Sequence, residues 1–102
     1  MDEVYTGKVE GHGEISLPVV LMQDPIVYIT PVSDGYLVRS EDRFSSLNPT
    51  REDERRLLYA LSEQVKIEFG KLRIPKRMRR NLRVGQKVTL EGDSDLFRVS
   101  VN

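Results

Sequence analysis

Eight basic side chains crowd residues 70–87, GKLRIPKRMRRNLRVGQK: Lys71, Arg73, Lys76, Arg77, Arg79, Arg80, Arg83 and Lys87, with no acidic residue among them. The chemistry open to such a run is recognition of a polyanion. Ammonium and guanidinium groups neutralise phosphates and release counterions, and arginine forks can also reach guanine edges in a major groove. The rest of the chain sharpens the contrast. Residues 1–70 carry 7 Lys/Arg against 13 Asp/Glu, whereas residues 71–102 carry 9 against 3. A formal net charge of zero thus conceals halves of about −6 and +6. A split of this kind bears on partners rather than on fold. The bland alternative is a solvated charged face, and the lack of compensating acids within the stretch argues against it.

Other chemistries find few residues to work with. The chain has no cysteine, so thiolate catalysis, disulfides and cysteine metal sites are out. Its single histidine, His12, sits between Gly11 and Gly13, where an exposed turn is expected rather than a poised base or ligand. Gly70-Lys71 lacks the upstream glycine and the following Ser/Thr of a nucleotide-binding loop. Glu52-Asp53-Glu54 reads as a helix start rather than a metal or acid/base cluster. No enzyme, cofactor, metal or small-molecule substrate is expected. No apolar run approaches membrane-spanning length, and the acidic N-terminus, MDEVYTGKVE, has no signal-type apolar core. A cytoplasmic protein with one domain over residues 1–102 is expected.

The elements that must position the basic run are mostly strands. Val4 to Val9 has strand spacing and stops at Gly11-His12-Gly13. Glu14 to Leu17 alternates strictly, with Ile15 and Leu17 on one face. Val19 to Met22 is a short apolar run cut by Asp24-Pro25. Ile26 to Val32 is β-branched, turns at Ser33-Asp34-Gly35 and returns through Tyr36 to Val38 as a hairpin. Asn48 as N-cap, Pro49 at the first helical position, and Leu57, Leu58, Leu61 and Val65 at helical spacing predict one long helix over 49–63. Tyr59, Leu58 and Leu61 on it are candidates for a subunit interface or for packing against the strands. Val65 to Phe69 and Lys71 to Ile74 alternate on either side of Gly70. Pro75 is suited to open a basic helix that places Met78 and Leu82 on one face and ends at Gly85. Lys76, Arg79, Arg80 and Arg83 would fan across its other face, with Arg77 at the edge. Val88 to Glu91 and Leu96 to Val101 form a closing hairpin.

The two halves repeat. Gly13-Glu14-Ile15-Ser16-Leu17-Pro18 aligns with Gly70-Lys71-Leu72-Arg73-Ile74-Pro75 at an offset of 57. Val27-Tyr28-Ile29 aligns with Val88-Thr89-Leu90, and Ser33 to Tyr36 with Ser94 to Phe97, at an offset of 61. The second copy therefore holds four extra residues, about one helical turn, between its proline and its hairpin. The expected organisation is a shortened first repeat over 4–44, a connecting helix over 48–64 and a second repeat over 65–101. Two copies cannot form a solenoid, but can bury their apolar faces together about a pseudo-two-fold axis.

Gly70 to Lys76, followed by basic residues and a Val-Gly before a hairpin, resembles the AbrB/SpoVT swapped-hairpin DNA-binding module. Two such copies, joined by Ser46-Leu47-Asn48-Pro49 and Arg55-Arg56-Leu57-Leu58, resemble the MraZ family, bacterial transcriptional regulators of the division and cell-wall gene cluster. The resemblance implies a mainly β (α+β) swapped-hairpin barrel and homo-oligomers, possible rings among them. It also implies a nucleoid-associated repressor that binds promoter repeats in double-stranded DNA. Lys71, Arg73, Lys76, Arg77, Arg79, Arg80 and Arg83 are the expected DNA-binding residues. The family's Asp-x-x-x-Arg pattern is altered, since Ile67 and Lys71 take those positions in the second copy, and Glu10 and Glu14 take them in the first. Carboxylates facing phosphate repel it, so the first copy is expected not to contact DNA in the family's manner. The alternative is an oligomeric interaction module whose basic patch binds an acidic partner or a neighbouring subunit.

Overall fold

The computed structural model describes residues 3–21, 25–47, 51–79 and 82–102. Eight strands form one antiparallel sheet: β1 (Glu3–Glu10), β2 (Glu14–Ser16), β3 (Ile26–Val32), β4 (Gly35–Ser40), β5 (Glu63–Lys66), β6 (Lys71–Arg73), β7 (Lys87–Gly92) and β8 (Leu96–Val101). Their order across the sheet is β5-β3-β4-β8-β7-β1-β2-β6. Its two ends, β5 and β6, meet through a bridge between Glu68 and Lys71, so the sheet curls into a nearly closed barrel. The alternating segments form strands, and the mainly-β barrel that the resemblance implied is what they build. Two short helices, α1 (Glu41–Ser45) and α2 (Glu52–Leu61), lie between β4 and β5. No helix among the described residues is long and apolar enough to cross a membrane.

Strand pairing follows the sequence repeat. Strand β2 runs antiparallel to β6 with Glu14 opposite Arg73, Ile15 opposite Leu72 and Ser16 opposite Lys71. Shifting by 57 residues exchanges the outer two pairs and leaves the Ile15–Leu72 pair on the axis. Strand β4 pairs with β8 in the same way, at the offset of 61, with Leu37 opposite Arg98 on the axis. First strands are exchanged between copies, with β1 against β7 and β5 against β3. The core obeys the same relation. Ile15, Leu17 and Leu21 match Leu72, Ile74 and Met78, while Val27, Ile29, Tyr36 and Val38 match Val88, Leu90, Phe97 and Val99, and all are buried. Each copy alone is half a barrel with an open apolar face, and each closes the other.

Four local expectations change. The helix expected over 49–63 is α2, ending at Leu61. Ser62 is extended, and Glu63–Lys66 pairs with β3 instead. Interstrand hydrogen bonds there outweigh the helical spacing of Val65. Residues 48–50, and with them the proposed Asn48 cap, lie outside the described residues. The strand expected over 65–69 is displaced to Glu63–Lys66. An unforeseen helix, α1, begins where the Ser40 hydroxyl accepts from the Arg43 amide at 3.1 Å and Glu41 and Asp42 fill the first turn. It buries Phe44, which stacks on Tyr28 at 4.1 Å and meets Tyr59 edge-on at 5.3 Å, tying both helices to β3.

The basic helix expected after Pro75 is a single 3-10 turn, Lys76–Met78. The physical reason lies in its carbonyls. An α-helix would direct the Met78 and Leu82 amides to the carbonyls four residues back. Instead the Ile74 carbonyl accepts from Arg79 Nε at 2.6 Å, and the Met78 carbonyl accepts from the buried Tyr36 hydroxyl at 2.6 Å. The Met78 and Leu82 amides go only three residues back, to Pro75 and Arg79. Met78 and Leu82 still both pack on the core. The first copy has the equivalent 3-10 turn at Val19–Leu21, with Leu21 buried where Met78 is. The longer segment of the second copy docks on β1: Gly85 N–H donates to the Val9 carbonyl and Val9 N–H to the Gln86 carbonyl.

Candidate nucleic-acid interface

Alternation along β6 buries Leu72 and sends Lys71 and Arg73 outward, and the turn after Pro75 carries Lys76, Arg77 and Arg79 beside them. With β5 they line one open groove of about 700 Å³ that holds six bases (Lys66, Lys71, Arg73, Lys76, Arg77, Arg79) and three acids (Glu14, Glu63, Glu68). The basic residues of the sequence run are thus largely brought together, and Lys66 joins them from β5. Arg83 lies beyond the groove, exposed, and Arg80 is outside the described residues.

The six bases are not equally available. The β2–β6 register sets acids of the first copy against them. Lys71 Nζ lies 3.1 Å from Glu10 Oε2 and Arg73 Nη2 lies 3.4 Å from Glu14 Oε2. Hydrogen bonding and charge from Lys71, with a further bond from the Ser16 hydroxyl, hold the Glu10 carboxyl below its usual range. Arg77 Nε reaches Glu63 Oε2 at 3.2 Å and its Nη2 donates to the Ser62 carbonyl at 3.3 Å. Arg79 is tied into the fold as well: besides its bond to the Ile74 carbonyl, its stem covers Gly13, where an added Cβ would fall 2.6 Å from Nε. Among the bases at and beside the groove, Lys66, Lys76, Arg79 and Arg83 have no ion pair with a described residue. All these pairs are at least partly solvated and add little to stability, while each holds its cation on a carboxylate.

The two copies differ most at this face. Where the second copy presents Lys76 and Arg77, the first presents Val19 and Val20, both exposed. Where the second turns from β5 to β6 through Phe69-Gly70, the first turns through Gly11-His12-Gly13. His12 and Gly13 have φ of 62° and 69°, and Phe69 and Gly70 have φ of 54° and 70°. His12 is exposed, as expected. Phe69 is 98% exposed at the lip of the groove. Sequence reasoning assigned Phe69 to a strand end and missed Lys66, Glu63 and the carboxylate partners. A two-residue link ending in glycine between two alternating segments was the signal for the turn.

On α2, Leu57, Tyr59 and Leu61 are exposed, and Leu58 is half-buried. No group of three or more metal-ligating side chains occurs among the described residues. No protein-family model matches the chain, and no curated protein is significantly similar to it.

Proposed function

We propose that the protein is a DNA-binding regulator that engages duplex phosphates through its second repeat and gains affinity by oligomerisation. The observation that carries this reading is the gathering of six bases on β5, β6 and the following turn around one groove, where the symmetry-related turn of the other copy carries Val19 and Val20. One basic face per chain makes few phosphate contacts, so several chains at fixed spacing supply the avidity. The exposed apolar residues of α2 are candidates for that assembly. Resemblance of the two copies, with their Ser46-Leu47-Asn48-Pro49 and Arg55-Arg56-Leu57-Leu58 joint, to MraZ-type regulators makes short promoter repeats upstream of division and cell-wall genes the first DNA to try, with repression as the outcome to assay.

The test is fluorescence polarisation with labelled duplex at several salt concentrations, with light scattering on the same samples. Affinity should fall steeply with salt, and Lys76→Ala and Arg83→Ala should each flatten the log–log slope by about 0.9. No binding at low salt refutes the reading. A second reading, an acidic-protein partner for the same face, draws on the fact that Lys71, Arg73 and Arg77 already hold carboxylates. Oligomers that dissociate as salt rises, without DNA binding, would favour it.

A further inference from the structure

Phe69 is expensive to keep where it is. Its side chain is almost wholly in water, so it contributes nothing to the core. Its backbone has positive φ, as does that of Gly70, the pattern of a tight hairpin turn in which Asn or Asp normally precedes glycine. A bulky aromatic there is strained without any compensating burial. The turn is nonetheless firmly held. Glu68 and Lys71 exchange backbone hydrogen bonds at 3.0 and 3.3 Å, and the Gly70 carbonyl accepts from the Leu17 amide at 2.9 Å. A strained, exposed ring on a fixed mount points to function rather than folding.

Its surroundings identify the ligand chemistry. The ring stands at the lip of a groove with Lys66, Lys71, Arg73 and Lys76. A ligand offering negative charge and flat apolar faces together matches a nucleic-acid strand. Carboxylates alone would use the cations and give the ring no flat face to stack on. We propose that Phe69 is a stacking wedge that enters the base stack of bound DNA, so that this face prefers DNA with an unpaired base over perfect duplex. The inference rests on the DNA-binding reading above and names what that face recognises.

The experiment compares a labelled short duplex with the same duplex carrying one unpaired adenine. It uses the full chain and the variants Phe69→Asn, Phe69→Tyr and Lys76→Ala. Asparagine tolerates positive φ, so Phe69→Asn keeps the turn, and its thermal midpoint should equal or exceed the parent's. The parent should bind the bulged duplex more tightly than the intact one. Phe69→Asn should lose about fivefold to 150-fold on the bulged duplex, bringing it level with the intact one. Phe69→Tyr should retain the preference. If Phe69→Asn binds both DNAs as the parent does while Lys76→Ala weakens both, the wedge is refuted and DNA binding stands. If the parent binds neither DNA, both readings fall. A changed oligomer mass in Phe69→Asn with unchanged DNA affinities would overturn the wedge in favour of a contact between copies.

Discussion

Two carboxylates of the first copy pair with two bases of the second, and on the DNA-binding proposal removing them should strengthen binding measurably. The perturbation is Glu10→Gln with Glu14→Gln. Glutamine keeps the shape of each side chain and a hydrogen-bond acceptor for Ser16 and Arg73, so the β2–β6 register should survive. In the parent, Lys71 and Arg73 are engaged at 3.1 and 3.4 Å, while Lys66, Lys76 and Arg83 have no ion pair among the described residues. If each freed cation neutralises one phosphate, the slope of log affinity against log salt steepens by about 0.9 per residue, about 1.8 for both. Over a fourfold rise in salt, that is roughly a 12-fold larger loss of affinity than the parent shows. The assay is polarisation of a labelled duplex across that salt range, with each single variant expected to give half the change in slope. An unchanged slope would mean that Lys71 and Arg73 do not face phosphate. Loss of binding would mean that the carboxylates themselves make contacts, and the account of the first copy as the silent half would be wrong.

Other substitutions test the framework. Arg79→Met should lower stability, because it removes the charge-assisted bond to the Ile74 carbonyl. A loss of about 1–3 kcal/mol is expected, read as a thermal midpoint several degrees lower. Tyr36→Phe strands the buried Met78 carbonyl and should cost a similar amount, about 1–3 kcal/mol by urea denaturation. Burial raises the Tyr36 hydroxyl above its usual value of 10.0, so its contribution is complete below pH 10 and lost as pH climbs through the raised value. The stability gap between parent and Tyr36→Phe should therefore close in strong alkali. Phe44→Ala removes the ring that joins α1 and α2 to β3 and should destabilise by about 3–5 kcal/mol, with early loss of amide protection in α2. Because Glu10 sits below its usual 4.5, the stabilisation by its pair with Lys71 is present above that pH. It fades as acid takes the pH through the lowered value, and Glu10→Gln should abolish that acid dependence.

Much of this molecule is local. Alternation in Glu14–Leu17 and Lys71–Ile74, the β-branched run at Ile26–Val32 and the turn at Ser33-Asp34-Gly35 each report on their own immediate geometry. The sequence alone therefore determined the inward faces, the repeat and every strand but β5. The repeat offsets of 57 and 61 even carry the core pairing, because equivalent residues of two fused copies must meet across the axis. What required tertiary structure was everything set by a neighbour far along the chain. The helix after Pro75 was lost because Tyr36, 42 residues away, and the Arg79 side chain take the carbonyls that a helix would use. The strand at Glu63–Lys66 displaced the end of α2 because β3 offered it partners. The basic run looked unopposed because its acids, Glu10 and Glu14, are about 60 residues away in sequence and arrive only when β2 pairs with β6. Composition predicts that a chain has bases to spare; only the register of two strands decides which of them are already spent.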